Sequence, residues 1–252
     1  MRKIAAVVMF AGSLSVSFAG GPISGTFTID GSVSVTATGI TWTSNTNVSD
    51  QATISSLGLS GSFAGMDNDT VGIHNLTNLP GDQPVGVSFS NFDFIDFPAP
   101  AGFPSLDADF IALGSGIPSN CSSNPAAAAA GQTCTLTSTT NPAEPGGSPF
   151  TFLNTLNGTS CCNSSATWDI SGVTSDGLST WGAIFTSEFT TPFQTVLNNF
   201  ATTGQVSDSF SGALTVSVTP ITSVPEPTSA SLTLMGGGLI VLSLCLRRRK
   251  QN

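Results

Sequence analysis

The sequence has almost no cationic side chains, and those that it has lie at the two ends of the chain. All six Lys and Arg residues occupy positions 2–3 and 247–250, so residues 4–246 contain none. The fifteen Asp and Glu residues lie between positions 30 and 226, and the formal net charge is -9. Residues 4–246 therefore cannot form salt bridges with one another through Lys or Arg. Nucleic-acid binding is excluded as well, because it depends on Lys and Arg contacts to phosphate.

Groups that serve in catalysis are also scarce. The chain has no Tyr and a single histidine, His74. A Ser-His-Asp hydrolase needs an imidazole base, and no Gly-x-Ser-x-Gly motif accompanies His74. Aspartates are frequent, but their spacing does not indicate the opposed carboxylates of a glycosidase. We therefore expect a protein that is not an enzyme, and a secreted hydrolase is the less favoured alternative.

The N-terminus has the pattern of an export signal. Arg2 and Lys3 precede an apolar run at residues 4–14, and Ser17-Phe18-Ala19 places small residues at the positions that a signal peptidase requires. The pattern predicts a signal peptide at residues 1–19, cleaved after Ala19. The alternative is an uncleaved anchor helix, for which the apolar run is short. Both interpretations predict that the chain leaves the cytoplasm.

Near the C-terminus, residues 228–246 are apolar or small and uncharged, and a basic cluster follows them at once. At ~1.5 Å per residue a helix of this length just crosses a ~30 Å hydrocarbon core. We predict a transmembrane helix that anchors the protein in the inner membrane. A buried helix of a soluble domain is the alternative. The cations would stay on the cytoplasmic side and leave the body outside. They are Arg247, Arg248, Arg249 and Lys250.

A short proline motif stands immediately before this segment, made of Val224, Pro225, Glu226 and Pro227. The prolines fix φ and remove backbone donors, so the motif is predicted to be stiff and extended. Together with the hydrophobic span and the basic end, it resembles the PEP-CTERM sorting signal over residues 223–252. The resemblance implies recognition by an exosortase, a multi-span membrane enzyme that cuts near the motif. It also implies delivery to the cell surface or exopolysaccharide matrix of a Gram-negative bacterium.

The exported body, residues 20–222, has the composition of one β-rich domain. The chain is 39% hydrophobic and only 8% charged, and Phe and β-branched residues recur throughout. Leu214, Val216 and Val218 alternate with polar residues, as expected for a strand with one apolar face. We predict an all-β, single β-sandwich-like domain of the jelly-roll or immunoglobulin-like kind. Asp30-Gly31 is predicted to form a hairpin turn.

Further strands are predicted at residues 40–43, 52–57, 85–89, 92–97, 108–113, 133–138, 167–170 and 182–186, and a short helix at 196–200. Gly, Pro, Asn and Asp clusters separate these segments. Short strands with frequent turns are typical of a sandwich.

Four cysteines in the body are compatible with disulfides in an exported protein. Of the three possible pairings we favour Cys121 or Cys134 with the adjacent pair Cys161 and Cys162. This pairing would tie the loop at residues 116–149 to the sheet. A zinc site is the alternative, but adjacent cysteines do not match the Cys-x2-Cys spacing of a zinc knuckle.

Closely spaced aspartates indicate where the chain could bind a calcium ion. Asp67, Asn68 and Asp69 could direct several oxygens at a structural calcium, and Asp93 with Asp96 and Asp107 with Asp109 have similar spacings. A solvated turn is the alternative, because no twelve-residue EF-hand loop is present. No other cofactor is expected.

Two functions remain for the body. The favoured one is a non-catalytic structural role in the envelope or extracellular matrix. The alternative is a carbohydrate-binding module for exopolysaccharide, with Trp42, Trp168 and Trp181 as stacking platforms. Burial of all three tryptophans would favour the structural role.

Overall fold

A computed structural model describes residues 21–219, except residues 78, 80, 101, 138–146 and 159. The chain divides into two units, Met1–Val218 and Thr219–Asn252. The predicted signal peptide, sorting motif, transmembrane segment and basic end lie outside the described residues. Within the described ranges, no helix is long and apolar enough to span a membrane.

The described residues form eleven β-strands and one α-helix, which confirms the predicted all-β class. The helix α1 (Phe193–Thr203) lies between the last two strands and contains the predicted helical segment 196–200. The strands are β1 (Gly25–Thr36), β2 (Gly39–Thr43), β3 (Gln51–Ile54), β4 (Thr70–Ile73), β5 (Phe92–Asp96), β6 (Leu106–Ile111), β7 (Thr133–Cys134), β8 (Thr151–Asn157), β9 (Ser160–Thr174), β10 (Ser179–Phe189) and β11 (Gln205–Val218).

The predicted sandwich is wrong, because the strands form a single sheet that closes on itself. Eight of them follow one another in the order β10-β11-β1-β3-β4-β5-β6-β9, and β9 pairs with β10 to close an antiparallel barrel. β2 adds to the second half of β1, while β8 and then β7 add to β9. The long strands allow this closure: one end of β9 pairs with β8 and the other end with β6, while β10 lies along its other edge. Closure in this way leaves none of the eight barrel strands at an open edge, whereas β2 and β7 remain edge strands.

The predicted turn at Asp30-Gly31 is also wrong, since both residues lie in the middle of β1. β1 runs alongside β11 without interruption from Gly25 to Thr36. The glycine serves close packing instead: a Cβ on Gly31 would lie 2.5 Å from the Thr43 carbonyl oxygen and 2.8 Å from the ring of Phe210.

Strand prediction succeeded for most segments and failed at three places. Residues 85–89 do not form a strand, and Val85 makes only an isolated bridge to Ile111. The strands β4 and β8 had no prediction. Their sequences, Thr-Val-Gly-Ile and Thr-Phe-Leu-Asn-Thr-Leu-Asn, are too short or too polar to show a clear apolar alternation.

Aromatic side chains fill the barrel. Phe185 has no solvent exposure, and its ring centroid lies 5.1 Å from that of Trp42 and 5.5 Å from that of Trp168. Phe94 stacks on Trp181 at 5.8 Å. Trp42, Trp168 and Trp181 are only 1%, 2% and 4% exposed, so all three tryptophans belong to the core.

The disulfides differ from the favoured pairing. Cys121 is bonded to Cys134, with 5.0 Å between their Cα atoms, and Cys161 is bonded to Cys162. The strand register explains why Cys134 does not reach β9's cysteines. Cys134 lies opposite Phe152 of β8, whereas Cys161 lies opposite Leu156. These positions on β8 are roughly 13 Å apart at about 3.3 Å per residue, which is beyond the reach of a disulfide. The four cysteines of the body are thus all in disulfides in the structure.

Candidate functional site

His74 and Asp96 meet where β4 ends beside β5. The backbone N–H of His74 donates to the carbonyl of Phe94 at 2.8 Å and extends the β4–β5 ladder by one bond. Gly72 lies opposite Asp96 in this ladder. Side chains two positions apart on a strand share a face, so His74 lies diagonally across from Asp96. His74 Nε2 and Asp96 Oδ2 are hydrogen-bonded at 2.9 Å.

A β-bulge brings a second carboxylate to the same place. Asp93 and Asp96 are three positions apart, and a regular strand would direct them to opposite faces. The register with β6 shifts between Asp93 and Ile95, and both Phe94 and Ile95 are fully buried. The interrupted alternation leaves both aspartates on the outside, and Asp93 Oδ2 lies 4.0 Å from His74 Nε2. Bulges commonly redirect side chains in this way beside functional sites.

These three residues form a candidate metal centre. The potential ligand atoms of His74, Asp93 and Asp96 all lie within 4.8 Å of one another. In the part of the chain that the structure describes, no other three His, Cys, Asp or Glu side chains are grouped in this way. About half of each side chain is exposed: 45% for His74, 54% for Asp93 and 47% for Asp96.

The electrostatic environment of the cluster is strongly negative. Burial, followed by the neighbouring Asp96 carboxylate, raises the pKa of Asp93 above its ordinary value. His74 opposes this rise, Asp107 adds to it, and the nearby Ser105 hydroxyl opposes it. Asp107 lies directly across from Asp93 on β6, and its Oδ1 accepts a hydrogen bond of 3.1 Å from the Ser105 hydroxyl. The site therefore concentrates carboxylates around a single imidazole.

The raised pKa of Asp93 leads to a prediction about stability in the absence of metal. The Asp93 carboxyl group binds its proton more tightly in the folded state than in the unfolded state. The free energy of unfolding therefore falls as pH rises from about 3.9 toward the folded pKa of Asp93. Above the folded pKa, the destabilisation caused by the charged Asp93 carboxylate reaches its full value. We expect Asp93→Asn to increase the free energy of unfolding at pH 7 by less than about 1 kcal/mol, because the side chain is half exposed. Urea unfolding in a chelator at pH 3.5 and pH 7 measures the effect.

A matched control separates this local cause from the general effect of removing a negative charge. Asp67→Asn removes the same charge from an exposed turn of the same protein. At pH 7 we expect Asp67→Asn to increase the free energy of unfolding by less than Asp93→Asn does. Equal gains from the two variants would contradict a local cause at Asp93.

The cluster does not have the arrangement of a nucleophile and its base. The Ser105 hydroxyl donates to Asp107, while His74 Nε2 faces the carboxylates of Asp96 and Asp93. Among the described residues, no hydroxyl group is hydrogen-bonded to the His74 imidazole. One ring nitrogen beside two carboxylate oxygens is instead a combination of groups that can coordinate a metal ion, since imidazole and carboxylate are both zinc ligands.

The aspartates for which we predicted calcium lie elsewhere. Asp67, Asn68 and Asp69 occupy an exposed turn, in which the Asp69 N–H donates to the Met66 carbonyl. No third His, Cys, Asp or Glu joins Asp67 and Asp69 within the ranges that the structure describes. Calcium binding at this turn stays a prediction.

The comparisons with known proteins concern only the tail. The family model of the PEP-CTERM protein-sorting motif matches residues 223–250, as the sequence resemblance predicted. The matched range contains the proline motif at 224–227, the apolar segment and the basic cluster. Comparison with curated proteins and with solved structures finds no match. The chain thus has a tail of the kind that directs exported proteins to an exosortase-type enzyme.

Proposed function

We propose that this PEP-CTERM protein is a non-catalytic structural component of the cell surface or extracellular matrix. The observation that carries the proposal is the match of residues 223–250 to the sorting motif, joined to an exported body with no Lys or Arg. In this proposal a signal peptide at 1–19 starts export, and the segment at 228–246 holds the precursor in the inner membrane. An exosortase-type enzyme then releases or transfers the body.

The proposed chemistry of the tail follows from its residues. Pro225 and Pro227 cannot donate backbone hydrogen bonds, so the motif should stay extended and accessible to a protease cleft. Glu226 offers the only charge between residue 209 and the basic cluster, which makes it the natural recognition element. The four cations hold the end of the segment at the cytoplasmic face.

The body supports a structural role better than carbohydrate binding. Trp42, Trp168 and Trp181 are buried, and the indole N–H of Trp181 donates to the Asp107 carbonyl at 3.0 Å inside the fold. A tryptophan can serve as a stacking platform for a sugar only if its ring face is accessible from solvent. In the described part of the body, the exposed large hydrophobic side chains are all aliphatic, with Leu57 at 74% and Ile184 at 55% among them.

Intact mass analysis tests the sorting proposal. We expect protein from the outer surface and medium of exosortase-competent cells to begin at Gly20 and to lack the segment after residue 227. In cells without the enzyme the apolar segment and basic end should remain attached. Glu226→Ala, or deletion of residues 247–250, should abolish this processing while export continues, because the enzyme loses its recognition element or the precursor loses its membrane stop.

The matched control for Glu226 is Glu188→Ala, which removes an exposed glutamate from β10. We expect processing of the Glu188 variant to equal that of the unaltered protein. If the full tail persisted in competent and deficient cells alike, the sorting proposal would be wrong and the chain would be a simple anchored envelope protein.

A further inference from the structure

We propose that His74, Asp93 and Asp96 bind one divalent transition-metal ion, and that zinc is preferred over calcium. The site lies on the outer face of the paired strands β4 and β5, in the body of the protein. The proposal concerns the body alone and does not depend on how the tail is processed.

The kinds of ligand atom favour a transition metal. Imidazole nitrogen is a common ligand of zinc, copper, iron and nickel, whereas calcium and magnesium prefer sites made of oxygen alone. His74 supplies the nitrogen, and Asp93 and Asp96 each supply a carboxylate oxygen. Three protein ligands with a water in the fourth position is a common arrangement for zinc.

The distances fit this arrangement with small side-chain movements. Zinc bonds of about 2.0–2.2 Å place the ligand atoms of a tetrahedral site about 3.3–3.6 Å apart. In the structure His74 Nε2 is 2.9 Å from the Asp96 oxygen and 4.0 Å from the Asp93 oxygen. The two values lie on either side of the required separation, and all three ligand atoms lie within 4.8 Å of one another, so small side-chain movements would bring them to the separation that zinc requires.

Charge makes a bound cation favourable. Asp93 and Asp96 repel each other, and Asp107 faces Asp93 from the neighbouring strand. A protein of ordinary composition would place Lys or Arg beside such a group, but residues 4–246 contain neither. A divalent ion would compensate both carboxylates at once.

The fold prepares the ligands and leaves them accessible. The β5 bulge keeps Asp93 and Asp96 on one face, where a regular strand would turn one of them inward. The ring of Phe92 lies beside the His74 imidazole at 6.4 Å between centroids, nearly perpendicular to it. The ligand side chains are about half exposed, which lets an ion enter and leaves room for water ligands.

The single histidine of the chain makes the test specific. The full chain, carrying an affinity tag without histidine and stripped of metal with a chelator, is titrated with Zn²⁺ and separately with Ca²⁺ by calorimetry. We expect one Zn²⁺ per chain and at least about 10-fold weaker binding of Ca²⁺. In ¹⁵N-labelled protein, one imidazole spin system should respond to Zn²⁺, with the larger shift at Nε2.

Variants assign the ligands. His74→Ala and Asp96→Asn should each weaken Zn²⁺ binding by more than about 100-fold, since loss of an outer-sphere partner alone costs about 10–100-fold. The double variant Asp67→Asn/Asp69→Asn removes two carboxylates at the remote turn and should bind Zn²⁺ as the unaltered chain does. Circular dichroism checks that each variant is folded.

Three results would overturn the proposal: no Zn²⁺ binding by the unaltered chain, undiminished binding by folded His74→Ala, or Ca²⁺ binding as strong as Zn²⁺ binding by the Asp67→Asn/Asp69→Asn variant, which lacks the two carboxylates of the remote turn. If His74→Ala did not fold, the imidazole resonances of the unaltered chain would decide. An unchanged Nε2 shift at saturating Zn²⁺ would exclude coordination by His74.

Discussion

Replacement of Phe185 by alanine is expected to lower the free energy of unfolding by about 3–5 kcal/mol, as for other large-to-small changes in a packed core. Phe185 is fully buried, and its ring packs against Trp42, Trp168 and Phe210 at centroid distances of 5.1, 5.5 and 6.1 Å. These neighbours come from β2, β9 and β11, so no single element can collapse into the space. The loss therefore includes a cavity term as well as lost contacts.

The adjacent residue supplies the control. Ile184 precedes Phe185 on β10, points to the opposite face and is 55% exposed. Ile184→Ala should change stability by less than about 1 kcal/mol, the span of strand propensities. Urea unfolding monitored by tryptophan fluorescence measures both, because all three tryptophans lie in this core. Equal losses from the two variants would show that the inner face of β10 is assigned wrongly.

The residues of β10 and β11 show what the sequence could predict. Leu214 and Val216 alternate with polar neighbours and are buried as that pattern indicates, whereas Val218 at the end of the strand is 42% exposed. Local alternation thus identified strands and their inward faces. Closure of the barrel depends on the pairing of β6 with β9, in which Leu106 lies opposite Thr174. No local pattern in the sequence shows which distant strands pair. The same apolar strand faces could be covered in a sandwich or in a closed barrel, and the sandwich prediction was wrong.

The candidate metal centre shows how far the site could be predicted from the sequence. The short spacing of Asp93 and Asp96 indicated that these two aspartates could act together. His74 was not connected with them, because it lies about twenty residues away in the chain and such a separation does not indicate contact. Two structural facts join them: β4 pairs with β5, and the bulge after Asp93 removes the strand alternation. The unpredicted strand β4 is the missing step, since it positions His74 beside Asp96.

The closure of the barrel leads to the second large effect, at Gly172 of β9. A Cβ at this position would lie 1.9 Å from the Asp107 carbonyl oxygen and 2.9 Å from the Ala108 Cα, both in the backbone of β6. Backbone atoms of a paired strand cannot rotate away as a side chain can. We expect Gly172→Ala to lower the free energy of unfolding by about 3 kcal/mol, at the upper end of the usual cost of overpacking.

Gly182 on β10 provides the comparison, because a Cβ there would meet nothing within 4 Å. Gly182→Ala should leave stability unchanged or raise it by up to about 1 kcal/mol, since alanine restricts the unfolded chain. The two substitutions are chemically identical and lie on paired strands, so effects of opposite sign would isolate the close approach of β6 to β9. Separating these strands would also pull the Asp107 carbonyl away from the Trp181 indole, which donates to it at 3.0 Å. Equal stability of the two variants in urea unfolding would mean that β6 and β9 do not approach each other at Gly172 as closely as the structure shows.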